Sequence, residues 1–157
     1  MIVKKVYTII NKLLDIDRSI SIRGILGTYL PALLYLDSSW TKKNLHRIFS
    51  SDYNKKLYLA VWDSFLYHHR FKPPRKEMKR YYTEYIMKLK SEGNDDELPI
   101  SQMFVNHITI AYILDHKLGN ELFNIMIKNI HTVFIRHLIQ FIGRNIRRVQ
   151  AYKEYWP

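Results

Sequence analysis

Ser21 to Leu66 reads SIRGILGTYLPALLYLDSSWTKKNLHRIFSSDYNKKLYLAVWDSFL, and the punctuation of this stretch decides the fold class. Pro31 has no amide hydrogen, and its ring crowds the carbonyl four residues back, at Gly27. A helix begun near Ser21 must therefore kink or stop close to Leu30. A glycine at that carbonyl leaves room for a kink, which is the expected outcome. Asp37-Ser38-Ser39 then breaks the run, with Ser39 placed to cap a helix carrying Trp40, Leu45 and Phe49. Ser50-Ser51-Asp52 repeats the device ahead of a third helix, Tyr53 to Tyr67. There Leu57, Ala60, Val61 and Phe65 make one stripe, which Leu59, Trp62 and Leu66 widen. A helix apolar over so much of its circumference belongs between two neighbours, as inner helices of stacked repeats do.

Outward from this stretch the pattern stays helical. Val3, Val6, Tyr7, Ile10, Leu13 and Leu14 recur at steps of three and four over 2–15, an amphipathic first helix. Phe71-Lys72-Pro73-Pro74 cannot continue a helix, and Pro74 suits the first turn of one running from about Arg75 to Ser91. Residues 91–98 are the most polar part of the chain and are expected to form a mobile loop. Leu98-Pro99-Ile100-Ser101 opens a helix to Leu118, with Met103, Phe104, His107, Ile108, Ala111 and Leu114 inward and Gly119 ending it in the left-handed conformation. Two more helices follow, from Glu121 to about Ile130 and from Thr132, as cap, to about Tyr152. About seven helices result, with no strand: an all-α single domain over 1–157, packed as HEAT-like antiparallel pairs or as an irregular bundle.

Composition agrees. Five glycines and five prolines in 157 residues are too few for the turns of a sandwich or barrel. The absence of cysteine excludes disulfides and thiolate catalysis and fits a reducing, cytoplasmic setting. No apolar run approaches the roughly 20 residues of a membrane span. Lys4, Lys5, Asn11 and Lys12 interrupt the N-terminal apolar residues, which argues against a signal peptide.

For catalysis the chain offers no glycine-rich phosphate loop, no HExxH and no GxSxG. Its seven histidines include no pair four apart on one helix face, so they read as surface or partly buried residues, with no metal site. Asp37 is suited to accept backbone hydrogens at its turn. Asp63, among apolar neighbours, is expected to pair with a cation of another helix. The sequence thus points to no enzyme and no cofactor.

Twenty-five basic against 14 acidic residues leave a formal charge of +11, which favours polyanionic partners without specifying them. The densest region lies between Tyr67 and Lys90, where Arg70, Lys72, Arg75, Lys76, Lys79 and Arg80 alternate with aromatics including Tyr82. Cations with aromatics can contact phosphates and stack on unpaired bases. The simpler reading puts the aromatics in the core and the cations on the solvated face. Arg144, Arg147 and Arg148 form a second basic group, near a helix C-terminus, where they also meet its negative dipole end. Tyr152, Tyr155 and Trp156 close the chain as a terminal cap or contact. A chain that starts at Met1 and stops at Trp156-Pro157 is compatible with a fragment or a degraded gene product.

Arg23 with Gly27, Tyr29-Leu30-Pro31 and Leu36-Asp37, Trp40 with Ile48-Phe49, Ala60-Val61-Trp62 with Phe65-Leu66, and Phe141-Ile142-Gly143-Arg144 form a further pattern. In these residues about half of the chain resembles the C-terminal helical-repeat region of large prokaryotic defence-type proteins, signal-transduction ATPases or sirtuin-like anti-phage proteins. The matching positions are packing and turn residues. The resemblance implies a segment that senses or scaffolds by protein–protein interaction, with catalysis in another part of the parent protein, and it carries over no NTPase or deacylase residue.

Overall fold

A computed structural model describes residues 2–16, 19–49, 54–91, 95 and 97–155. Among them nine α-helices and one 3-10 turn occur, and no strand. The chain divides into two compact units, residues 1–68 and 69–157.

The first unit holds α1 (Ile2–Ile16), α2 (Ile20–Thr28), α3 (Leu30–Leu36), α4 (Ser38–Ile48) and α5 (Lys55–His69). The break expected at Pro31 is a single residue, Tyr29, at φ −96° and ψ 9°. Pro31 then sits in the first turn of α3, where an amide hydrogen would have no intrahelical partner. This break divides one expected helix into α2 and α3 and raises the helix count above the seven or so expected. Asp37, not Ser39, caps α4: its Oδ1 accepts the Trp40 amide at 2.9 Å. Both serines are helical, because the aspartate one residue earlier already takes the free donor. The cap proposed at 50–52 lies outside the described residues.

Glycines set the spacing between α2 and α5. A Cβ on Gly27 would fall 2.4 Å from the Val61 carbonyl oxygen, and one on Gly24 2.9 Å from the Ser64 Oγ. The helices therefore approach backbone to backbone at Gly27, a use distinct from easing the kink. Next to this contact lies the aromatic core: Phe49, Trp62 and Phe65 meet edge to face with ring centroids 5.0–6.1 Å apart, a favoured aromatic geometry. Trp62 is fully buried. Asp63 is exposed on α5, turned to solvent instead of sitting among apolar neighbours. Water there can solvate its carboxylate without a cationic partner.

In the second unit the 3-10 turn Lys76–Met78 leads into α6 (Lys79–Lys88), followed by α7 (Leu98–Ile113), α8 (Lys117–Ile127) and α9 (Thr132–Tyr155). Half of the segment expected as a loop, 91–98, lies outside the described residues. Helix α7 packs on both α8 and α9 and is buried along most of its length. It ends five residues before the expected Leu118. Asp115 takes the left-handed conformation, φ 59°. The His116 amide returns to the Ala111 carbonyl and the Asp115 amide to the Tyr112 carbonyl, both at 3.0 Å, a Schellman closure. Gly119 is then inside α8, where a Cβ would lie 2.6 Å from that of Ala111; it serves the α7–α8 crossing, not a helix end. Thr132 is the first residue of α9 and not its cap. The side chain of His131 accepts the Val133 amide, at 3.4 Å.

Candidate interaction surfaces

Two polar networks hold the units together internally. In the first, the Arg47 guanidinium on α4 donates to Asn44 Oδ1 at 2.7 Å, to Asn11 Oδ1 at 3.0 Å and to the Asn11 carbonyl at 3.3 Å. It also pairs with Asp15. Arg23, buried on α2, donates to the carbonyls of Arg47 at 2.7 Å and Leu14 at 3.3 Å. Together the two arginines tie α1, α2 and α4 with charge-assisted bonds. Their role is architectural.

In the second unit His107 on α7 is fully buried, deeper than a surface or partly buried histidine. Its Nδ1 lies 3.2 Å from the Arg70 carbonyl and its Nε2 3.1 Å from the Tyr82 hydroxyl. A carbonyl only accepts, so Nδ1 carries the proton and Nε2 accepts from the tyrosine. Burial is the main reason the imidazole pKa falls to about 4; His69 and His116 also lower it, while the bond to Arg70 raises it. The ring is therefore neutral near pH 7. One helical turn away, Tyr85 stacks on Phe104 with centroids 4.3 Å apart and contacts the Ser101 Oγ at 3.3 Å. Burial pushes the Tyr85 phenol up to about 12, against a smaller lowering by Ser101.

These contacts revise the basic–aromatic surface. Tyr82 is fully buried between Phe104 and His107, and burial raises its phenol pKa. It belongs to the core and is not exposed to a partner, because α6 turns that face to α7. Arg70, Lys72, Lys76, Lys79 and Arg80 are exposed and Arg75 is half-buried. Two of these cations stand beside acids: Lys79 is 2.5 Å from Glu121 and Arg80 2.7 Å from Glu84. Arg144, Arg147 and Arg148 are exposed on the C-terminal half of α9. The side chains of Tyr152, Tyr155 and Trp156 lie outside the described residues.

Two surfaces escaped the reading of the sequence. The first is the outer side of α2 and α3, where Ile25, Tyr29, Ala32 and Leu36 recur at steps of four, three and four, and all are exposed. Tyr29 is 59% exposed, Leu36 67% and Tyr35 89%. From Gly24 to Leu36 no residue carries a charge. The signal was present in that uncharged run, but it reads equally well as core. The second is on α9, where Ile135 is 38% and Ile139 66% exposed.

Among the described residues no group of three His, Asp or Glu side chains is arranged to hold a metal ion. No helix among them is long and apolar enough to cross a membrane. No protein-family model, curated protein or solved structure matches the chain.

Proposed function

We propose that this chain is a non-catalytic protein-interaction module, a helical scaffold or sensor segment working within a larger defence-type assembly in the cytoplasm. On this reading its helices stack as HEAT-like antiparallel pairs. The uncharged outer side of α2 and α3 carries the proposal. Scattered apolar residues are normal on a protein surface, but a continuous apolar row without a single charge marks a contact site. Burying the exposed parts of Ile25, Tyr29 and Leu36 offers on the order of 3–5 kcal/mol before the cost of association. The partner that suits it is another neutral, apolar helical surface. A repeat stacks against its neighbours through such faces.

The nucleic-acid reading of the Tyr67–Lys90 region has less support, because its central aromatic is buried and two of its cations stand beside carboxylates. Incorporating a photo-crosslinking phenylalanine analogue at Tyr35, and as a control at the exposed Lys56, tests the interaction reading in cells of the source organism. A discrete protein adduct at position 35, missing at 56 and lost on Leu36→Asp, is expected. Equal adduct yield at both positions, or none at 35, would remove the interface from α2 and α3.

A further inference from the structure

Helix α9 keeps one face for its neighbour and presents another to solvent. Phe134 and Leu138 are buried, and His137 Nε2 bonds to the α7 side chain Asn106 at 2.9 Å, so this side is the seam with α7. Arg136, Arg144, Arg147 and Arg148 are all exposed. At 3.6 residues per turn, Arg136 and Arg147 fall opposite the Phe134–Leu138 seam, with Arg144 and Arg148 to one side of them. The four occupy about a third of the circumference and about 18 Å of helix. Gln140 is exposed within the same sector. At its edge lies Gly143, where an added Cβ would meet nothing within 4 Å.

The fold does not account for these arginines. Among the described residues none of the four is ion-paired, and the sequence holds no acidic residue between Glu121 and Glu154. Arg144 and Arg148 stand four apart on one helix, a like-charge pair that opposes helix formation. The helix dipole, which the sequence offered as their partner, is out of reach. Helix α9 continues to Tyr155, so Arg148 lies about two turns before its end, whereas the dipole acts within the last turn. In the isolated chain these cations only repel one another, and an anionic ligand would relieve that.

The chemistry of the sector selects the ligand. Every cation from Arg136 to Arg148 is arginine, whose planar fork fits phosphate oxygens bidentately, and a glutamine such as Gln140 donates to them as well. A protein partner would need an apolar anchor at the centre of the contact, where this sector has arginine and glutamine. An anionic membrane calls for a helix face rich in Trp, Phe or Leu, and unpaired bases call for aromatic platforms; none of the exposed residues of the sector is aromatic. We infer that the outer arginine face of α9 binds the phosphate backbone of a nucleic-acid duplex, without reading its base sequence. Over about 18 Å a duplex presents roughly ten phosphates, more than four arginines can neutralise. The site makes no use of the Tyr67–Lys90 region and is independent of the α2–α3 surface, so either proposal can fail without the other.

The full chain is titrated by fluorescence anisotropy with mixed-sequence DNA and RNA duplexes of about two helical turns, over a series of salt concentrations. Sequence-tolerant binding of a duplex is expected, with log affinity falling linearly in log salt. For DNA each neutralised phosphate contributes about −0.9 to that slope. Arg144→Gln/Arg147→Gln/Arg148→Gln should therefore weaken binding about tenfold or more at low salt and flatten the slope by up to about 2.7. Replacing the same three arginines by lysine keeps the charge and should keep the slope. The control Lys43→Gln/Lys55→Gln/Lys56→Gln removes as many charges from exposed positions of the first unit and should leave the slope nearly unchanged. All these variants alter exposed positions, and their helical circular dichroism should match the parent. Absence of duplex binding at low salt, an unchanged slope in the glutamine variant of α9, or an equal loss in the control would overturn the proposal. Tighter binding of phosphatidylserine–phosphatidylcholine vesicles, poly-glutamate or oligo-dT, lost in that variant, would overturn it in favour of a lipid, an acidic protein or a single strand.

Discussion

Tyr82 and His107 share a buried hydrogen bond of 3.1 Å and their rings are nearly parallel, centroids 5.8 Å apart and planes within 8°. This pair joins α6 to α7 in the core of the second unit, and through Nδ1 the imidazole also holds the Arg70 carbonyl at the turn after α5. Protonating it would place a charge in an apolar core and remove the acceptor that Tyr82 uses.

The acid sensitivity of folding follows from that pair. The folded His107 pKa, about 4, is depressed from its ordinary 6.5, chiefly by burial. Its contribution is therefore complete above about pH 6.5 and is lost as pH falls toward 4, since the unfolded chain binds the proton first. A shift of this size corresponds to about 3 kcal/mol across the window. Urea midpoints at pH 7.5 and 4.5 should differ accordingly, and His107→Gln should be less stable at pH 7.5 yet lose much of the difference. An imidazole titrating near 6.5 in the folded protein would contradict the burial.

Trp62 tests the core of the first unit. It is fully buried against Phe49 and Phe65, and Trp62→Ala should cost about 3–5 kcal/mol, the range for deleting a large aromatic from a site that collapses only partly. Trp62→Phe keeps one ring and should cost less. Denaturant titration of both variants by circular dichroism gives the comparison, and an unchanged midpoint for the alanine variant would exclude Trp62 from the core.

Two glycines should respond in opposite ways to alanine. At Gly27 the new methyl meets the Val61 backbone oxygen at 2.4 Å, and backbone cannot swing aside as a flexible side chain does. The clash should exceed the gain in helix propensity and leave a net loss of about 1–3 kcal/mol. At Gly143 the methyl enters open space, and Gly143→Ala should stabilise α9 by up to about 1 kcal/mol. Melting temperatures moving in the same direction would contradict the packing of α2 on α5 or the exposure of Gly143.

The cap of α4 resides in Asp37. Removing the carboxylate that accepts the Trp40 amide should cost about 1 kcal/mol in Asp37→Ala, while Asp37→Asn retains an acceptor and should stay within a few tenths. The Ser39→Ala variant, at the position the sequence marks as a cap, should be nearly neutral in the same equilibrium unfolding measurements.

Local chemistry explains what could be read from the chain directly. The interruption before Pro31, the turn at Asp37, the extended Pro73-Pro74 segment and the inward set Phe104, His107, Ile108 and Ala111 rest on amide hydrogens, side-chain acceptors and helical spacing within a few residues. The burial of Trp62 followed from the wide apolar sector of α5. Tertiary structure alone decided which sector of each helix finds a neighbour. Tyr82 stands among cations and admits both a core and a surface placement, and it was the cover given by α7 that chose the core. Ile139 has the pattern of a core residue, and nothing covers it. Gly119 looked like a helix end until the approach of Ala111 required it inside α8, leaving Asp115 to take the left-handed turn. Helical periodicity is written in residues three and four apart, whereas contact with another helix depends on residues distant in sequence. The surfaces on which function is proposed are the sectors that those distant contacts leave open.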